Sequence, residues 1–229
     1  MLEIIYQDEF LIAINKPAGL LVHASPIARD AEEFAIQRLR DQIGQHVYPC
    51  HRLDRKTAGV LLFALDKETH RQVSELFMTN QVEKWYHAIV RGYIEEGGES
   101  TQSLINDKGK RQEAHTLYQP LKHTEMDFPS GKFPTSRYTL MELKPITGRM
   151  HQLRKHMDIM RHPIIGDRPY GCNKQNKIFL ERFELSELML NCRAMELIHP
   201  KTNIKLRLEA PYSSEMKRIG ELLQLIDAE

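Results

Sequence analysis

Along the chain, apolar and polar positions alternate in short runs rather than in one long period. LEIIYQDEFLIAINKPAG reads as two strands around a polar QDE turn, closed by Pro17 and Gly19. EEFAIQRLRDQIG follows with the apolar spacing of a helix. VLLFAL, from Val60 to Leu65, is apolar at every position, as in a strand covered on both faces. Asp66 then stands where a helix over THRQVSELFMTNQ needs its N-cap. VEKWYHAIVRGYI returns to strand, and EEGGESTQSLINDKGKRQEAH is polar and glycine-bearing, as in a long surface excursion. TLYQPLKHTEM and SRYTLMELKP flank the turn-rich DFPSGKFP as one hairpin. ELMLNCRAMELIHP and IKLRLEAP flank KTN as another, and SSEMKRIGELLQLIDAE closes the chain as a helix. Strand pairs punctuated by helices predict an α+β fold on a mixed, largely antiparallel sheet.

Composition narrows the class without naming a chemistry. The 229 residues suffice for a substantial core, and one elaborated domain over residues 1–229 is expected. A net charge of +1 gives no overall polyanion signal, so any basic surface has to be local. Cys50, Cys172 and Cys192 are widely spaced and odd in number, which fits a reducing cytoplasm and not a disulfide framework. No stretch reaches the roughly 20 apolar residues of a membrane helix, so no membrane association is expected.

One stretch joins features that seldom meet. HRLDRKTAG crowds His51, Arg52, Asp54, Arg55 and Lys56 directly against VLLFAL. A solvated turn with a local ion pair is the ordinary account of such a loop. The alternative is a catalytic carboxylate, because a loop mounted on a rigid buried strand holds a reacting group in place.

A second cluster, TGRMHQLRKHMDIMRH, supplies a partner. Thr147 is placed to cap a helix on which Met150, Leu153 and Met157 recur, and Arg154 flanks that apolar stripe. An arginine there is either snorkelling to water or partly desolvated and in need of a carboxylate. From 144 to 177 eight cations, Arg149, Lys155 and Arg161 among them, stand against only Asp158 and Asp167, with His151, His156 and His162 interleaved. Such a stripe suits a phosphate backbone. Metal binding fits less well, since His151 and His156 are five apart and do not share a helix face. In KWYHAIV the aromatic pair either packs in the core or stacks on a base.

Four of these stretches resemble the motifs of the RluA-type pseudouridine synthases: INKPAG the first, HRLDRKTAG the catalytic signature, KWY the tyrosine motif, and TGRMHQLRKH with HPIIGD the arginine motif. They span residues 14–167 in the family's order. Ala58 stands where the family usually has serine. The first residues read as catalytic-domain strands, so the separate N-terminal RNA-binding module of several relatives is not expected.

The resemblance implies a sheet divided by a central cleft and an enzyme that turns a uridine of RNA into pseudouridine without metal or organic cofactor. Asp54 would be the essential acid, with attack on the sugar, attack on C6 of the base and a glycal route all open. Arg154 would pair with Asp54 and keep it ionised. Tyr86 would stack on the flipped uracil, and Arg52 would fill the gap left in the RNA. Arg55, Lys84, Arg149, His151, Lys155 and Arg161 would meet the RNA, with Lys16 and Pro17 as supports. A tRNA with its target at uridine 65 is the expected partner of a cytoplasmic monomer. A ribosomal or other tRNA site, a non-catalytic RNA-binding module, and an Asp-dependent hydrolase of a small phosphorylated ligand are the alternatives.

Overall fold

The structure, a computed structural model, describes residues 1–23 and 33–227. In chain order the elements are β1 (Glu3–Gln7), β2 (Leu11–Lys16), α1 (Ala35–Ile43), β3 (Tyr48–Pro49), β4 (Ala58–Ala64), α2 (Lys67–Met78), β5 (Glu83–Arg91) and β6 (Gly98–Ser100). There follow β7 (Leu104–Ile105), β8 (Arg111–Gln112), β9 (Thr116–Met126), β10 (Ser136–Pro145), α3 (Gln152–Ile159), α4 (Asn173–Phe183), β11 (Leu190–Ile198), β12 (Lys205–Glu209) and α5 (Ser214–Leu222). Two compact units result, Met1–Lys84 with Cys192–Ser213, and Trp85–Asn191 with Ser214–Glu229.

The first unit is organised around β4. All seven of its residues are buried, as the unbroken apolar run predicts. β2 pairs antiparallel with it from Leu11↔Ala64 to Lys16↔Gly59, and β1 pairs with β2 on the outside. The Asp8 carboxylate closes the β1–β2 turn by accepting the N–H groups of Phe10 and Leu11, each at 2.7 Å. Asp66 caps α2 as expected, accepting from the Thr69 N–H at 2.8 Å. β11 and β12 form the second predicted hairpin.

The second unit carries strands in the order β5-β10-β9-β6, all antiparallel. The β9–β10 register slips between Leu140 and Met141, opposite Lys122 and Pro120. Proline has no N–H for the ladder, so a bulge beside it costs no bond that could have formed. Phe179 of α4 packs edge-on against Tyr138 of β10, and Phe183 against Phe128.

Four expectations need correction in this unit. The 95–115 stretch, expected as a long surface excursion, carries strands of its own, since β6 extends the sheet beside β9 and β7 pairs with β8. α4 was not expected at all, because NKQNKIFLERF buries only Gln175 and Phe179 and leaves no clear apolar stripe to read. α3 starts at Gln152, and Thr147 does not cap it. Thr147 Oγ1 instead accepts the His115 N–H and donates to Gln152 Oε1, which also takes the Arg149 N–H. Met150 thus precedes the helix and is exposed, so the buried apolar stripe is Leu153 and Met157. The final helix is shorter than 213–229: it ends at Leu222, and residues 228–229 lie outside the described residues.

Candidate active site

In the first unit several contacts fix the backbone of the Asp54 turn. Asp54 is half-buried, between a buried Leu53 and an exposed Arg55. The Thr57 N–H donates to the Asp54 carbonyl at 3.0 Å, closing a turn of four residues just before β4. Lys16, fully buried at the end of β2, donates its ammonium to the carbonyls of Pro17 and Leu20, both at 2.8 Å, and of Arg55 at 3.2 Å. Gly19 and Arg55 complete the tie. The Gly19 N–H donates to the Arg55 carbonyl at 2.8 Å, and Arg55 Nε returns a bond to the Gly19 carbonyl at 3.1 Å. INKPAG is therefore a clamp on the Asp54 turn. At Gly59 φ is +109°, and a Cβ would overlap the Cys192 carbonyl, so β4 and β11 can approach here only through glycine.

His51 holds the other side of the turn. Its Nε2 accepts the Leu62 N–H at 3.1 Å and its ring stacks on Phe77 at 5.1 Å. An accepting Nε2 requires the neutral ring with the proton on Nδ1. Burial, with Lys84 as a lesser cause, pulls its pKa from 6.5 down to about 3. Lys84 sits with its ammonium 5.5 Å from the Phe77 ring centre, and burial lowers its pKa too. Arg52 is exposed.

In the second unit the arginine motif is built around Arg154, which is buried on α3. Its Nε meets Asp167 Oδ2 at 2.7 Å and its Nη2 meets Asp167 Oδ1 at 2.9 Å, a two-pronged pair with Asp167 buried as well. The Tyr170 N–H adds a bond to Asp167 Oδ1 at 3.2 Å, and the Tyr170 ring lies 5.1 Å from the guanidinium carbon. His151, in the left-handed conformation at the entry to α3, reaches the Tyr170 hydroxyl at 3.0 Å. Asn176 of α4 donates to the Asp167 carbonyl at 2.6 Å and accepts the Gly166 N–H at 2.9 Å. Asp167, Tyr170 and Asn176 were all missed by sequence reasoning. Only Asp167 left a signal, as one of the two carboxylates among eight cations.

Strand alternation separates the aromatic pair of KWY. Tyr86 is half-buried on β5 in register with Leu143. Trp85 points to the opposite face, where the Lys144 ammonium lies 4.8 Å from its ring centre.

Several cations of the basic stripe also bind the protein's own groups. Arg154 is taken up by Asp167, Arg149 Nε donates to the Glu113 carbonyl at 2.8 Å, and Lys155 Nζ to the Ile105 carbonyl at 2.9 Å. Arg161 is exposed just beyond α3 with φ at +65°. Among the interleaved histidines, His156 is buried with Nδ1 on Thr116 Oγ1 and Nε2 on the Gln102 carbonyl, both at 2.9 Å, and burial lowers its pKa. Among the described residues no three His, Cys, Asp or Glu side chains converge as a metal site.

Comparison with known proteins gives the family. The model of the RNA pseudouridylate synthase family matches residues 10–158. A tRNA pseudouridine synthase C of Vibrio vulnificus is 49% identical over 96% of this chain and 95% of its own, and that of Vibrio parahaemolyticus is 50% identical over 91% and 89%. Among solved structures, human RNA pseudouridylate synthase domain containing 4 superposes with a TM-score of 0.74 at 29% identity, covering 97% of this chain and 93% of that one. A match running from β2 through α3, with relatives half identical nearly end to end, means that the chain belongs to the RNA pseudouridylate synthase family.

Proposed function

We propose that this protein converts one uridine of tRNA, at position 65, to pseudouridine, with Asp54 as the essential carboxylate. The observation that carries the reading is the near-complete, half-identical match to relatives named tRNA pseudouridine synthase C. The clamped Asp54 turn supports it from the side of chemistry, because a group that must meet a sugar or a base in one geometry gains from a backbone that cannot drift. The reaction is an isomerisation. The N1–C1′ bond breaks, a C5–C1′ bond forms, and the proton on C5 is released as N1 gains one, so no redox partner, hydrolytic water or cofactor enters the balance.

On this reading Arg154 keeps Asp54 ionised, and Tyr86 stacks on the flipped base. A guanidinium carries five N–H donors, so the two-pronged bond to Asp167 fixes its plane without exhausting it. Arg52, exposed beside the turn, fills the place the base vacates. Arg55, Lys84, Arg149, His151, Lys155 and Arg161 are the further residues assigned to the RNA side. No described helix is long and apolar enough to cross a membrane. The protein acts as a monomer in the cytoplasm, as a single catalytic domain.

The test is a map of pseudouridine in tRNA and ribosomal RNA from cells lacking the gene, by carbodiimide adduct and reverse-transcription stop. Loss of the signal at tRNA position 65 alone is the expected result. An intact signal there, with a ribosomal site lost, would replace the substrate and keep the chemistry.

A further inference from the structure

Side chains of the arginine motif hold the 101–115 segment in place along the surface. Lys155 binds the Ile105 carbonyl, Arg149 the Glu113 carbonyl, His156 the Gln102 carbonyl, and Gln152 Nε2 the His115 carbonyl at 2.9 Å. The His115 N–H is bound in turn by Thr147 Oγ1 at 2.9 Å. Five bonds from one short stretch of chain pin the base of the β7–β8 hairpin to α3 and the loop before it.

The hairpin's tip is rigid by its own means. Asn106 Oδ1 accepts the N–H groups of Lys108 at 3.0 Å and Lys110 at 2.9 Å, and the Asn106 N–H bonds to the Lys110 carbonyl at 3.0 Å. Gly109 takes φ at +75°, as a turn with a bulge requires. This frame displays Lys108, Lys110 and Arg111, all exposed, against a single carboxylate within the tip, Asp107. A flexible charged loop is usually a solvated one. Here the backbone is already ordered, so contact with a polyanion needs little further ordering of the chain.

We propose that the β7–β8 hairpin is a phosphate-docking finger, with Lys108, Lys110 and Arg111 meeting consecutive phosphates of a folded RNA and its root fixed to the helix that carries Arg154. The inference rests on the RNA reading given above and adds to it a specific place of contact. An acidic protein surface is the other polyanion such a finger could fit. RNA is favoured because the chain belongs to a family that acts on RNA.

The test substitutes Lys108→Gln, then Lys108→Gln with Lys110→Gln, then all three with Arg111→Gln, and measures binding of an unmodified tRNA transcript across salt concentrations. Each lost phosphate contact lowers the magnitude of the slope of log K against log salt by about 0.7–0.9, so the triple variant loses about 2–3. Loss of turnover should fall on KM and not on kcat, with the melting temperature of each variant at the wild-type value. A triple variant with wild-type slope and KM would overturn the finger, whether the cations are merely solvated or serve an acidic protein. The outcome is independent of the substrate assignment. If wild-type protein modifies a ribosomal RNA instead, the same slopes are measured on that RNA, and only the tRNA reading falls.

Discussion

Arg154 and Asp167, thirteen residues apart, are buried together as a two-pronged ion pair at 2.7 and 2.9 Å. One carboxylate thereby fixes the plane of the guanidinium that the arginine motif presents, and it joins α3 to the turn that follows. Tyr170 secures both partners, the carboxylate by its N–H and the guanidinium by its ring.

Breaking that pair from the acidic side should be expensive. Asp167→Asn leaves the buried guanidinium without its charge partner and should cost about 3–5 kcal/mol of stability, read by denaturant unfolding. Activity should fall even at temperatures where the variant is folded. A cost within about 0.5 kcal/mol would mean that the pair holds nothing in place.

Coupling between Arg154 and Asp54 is tested by a double-mutant cycle on stability with Arg154→Met and Asp54→Asn. An interaction energy above about 0.5 kcal/mol is expected, since each residue is proposed to compensate the other's charge. Strict additivity would remove Arg154 as the group that keeps Asp54 ionised.

Lys16 should matter to catalysis without touching RNA. Lys16→Met deprives three carbonyls of a charged donor and should cost roughly 2–4 kcal/mol, with the Asp54 turn losing its clamp. Turnover should drop while tRNA affinity, measured at a temperature where the variant is folded, stays near wild type.

His51 makes stability depend on pH in a defined direction. Its folded pKa of about 3 lies below the ordinary 6.5, so between those values the unfolded chain binds the extra proton. Stability from this group is present above pH 6.5 and is lost as pH falls towards 3. His156, also lowered by burial, acts with the same sign. His51→Gln should therefore flatten the acid side of the stability curve, as followed by thermal melts from pH 7 to 4. An unchanged slope would mean that His51 protonates freely in the folded protein.

Much of this was legible because local chemistry and tertiary role coincide. An unbroken apolar run such as VLLFAL can be stable only with both faces covered, and β4 is fully buried. Asp66 caps its helix through a bond to a residue three positions on, so sequence alone suffices. The misses are of another kind. Thr147 has the chemistry of a cap, but His115, 32 residues earlier, claims it, and Gln152 closes the loop. The cations of the basic stripe look alike in sequence, yet carbonyls far along the chain, at 105 and 113, fix where Lys155 and Arg149 lie on the surface. α4 is fixed by aromatic contacts to β10 that no periodicity in NKQNKIFLERF announces.

The central claim is that Asp54 performs a uridine isomerisation on tRNA, and the most direct measurement uses one unmodified tRNA transcript with two proteins. After incubation with wild type, carbodiimide treatment should give a reverse-transcription stop at position 65, and none when that base is cytidine. Asp54→Asn, with the amide confirmed by mass, should bind the transcript with near wild-type affinity, because phosphate contacts dominate binding, and leave no stop. A stop at position 65 of wild-type intensity from the Asn protein would contradict the account.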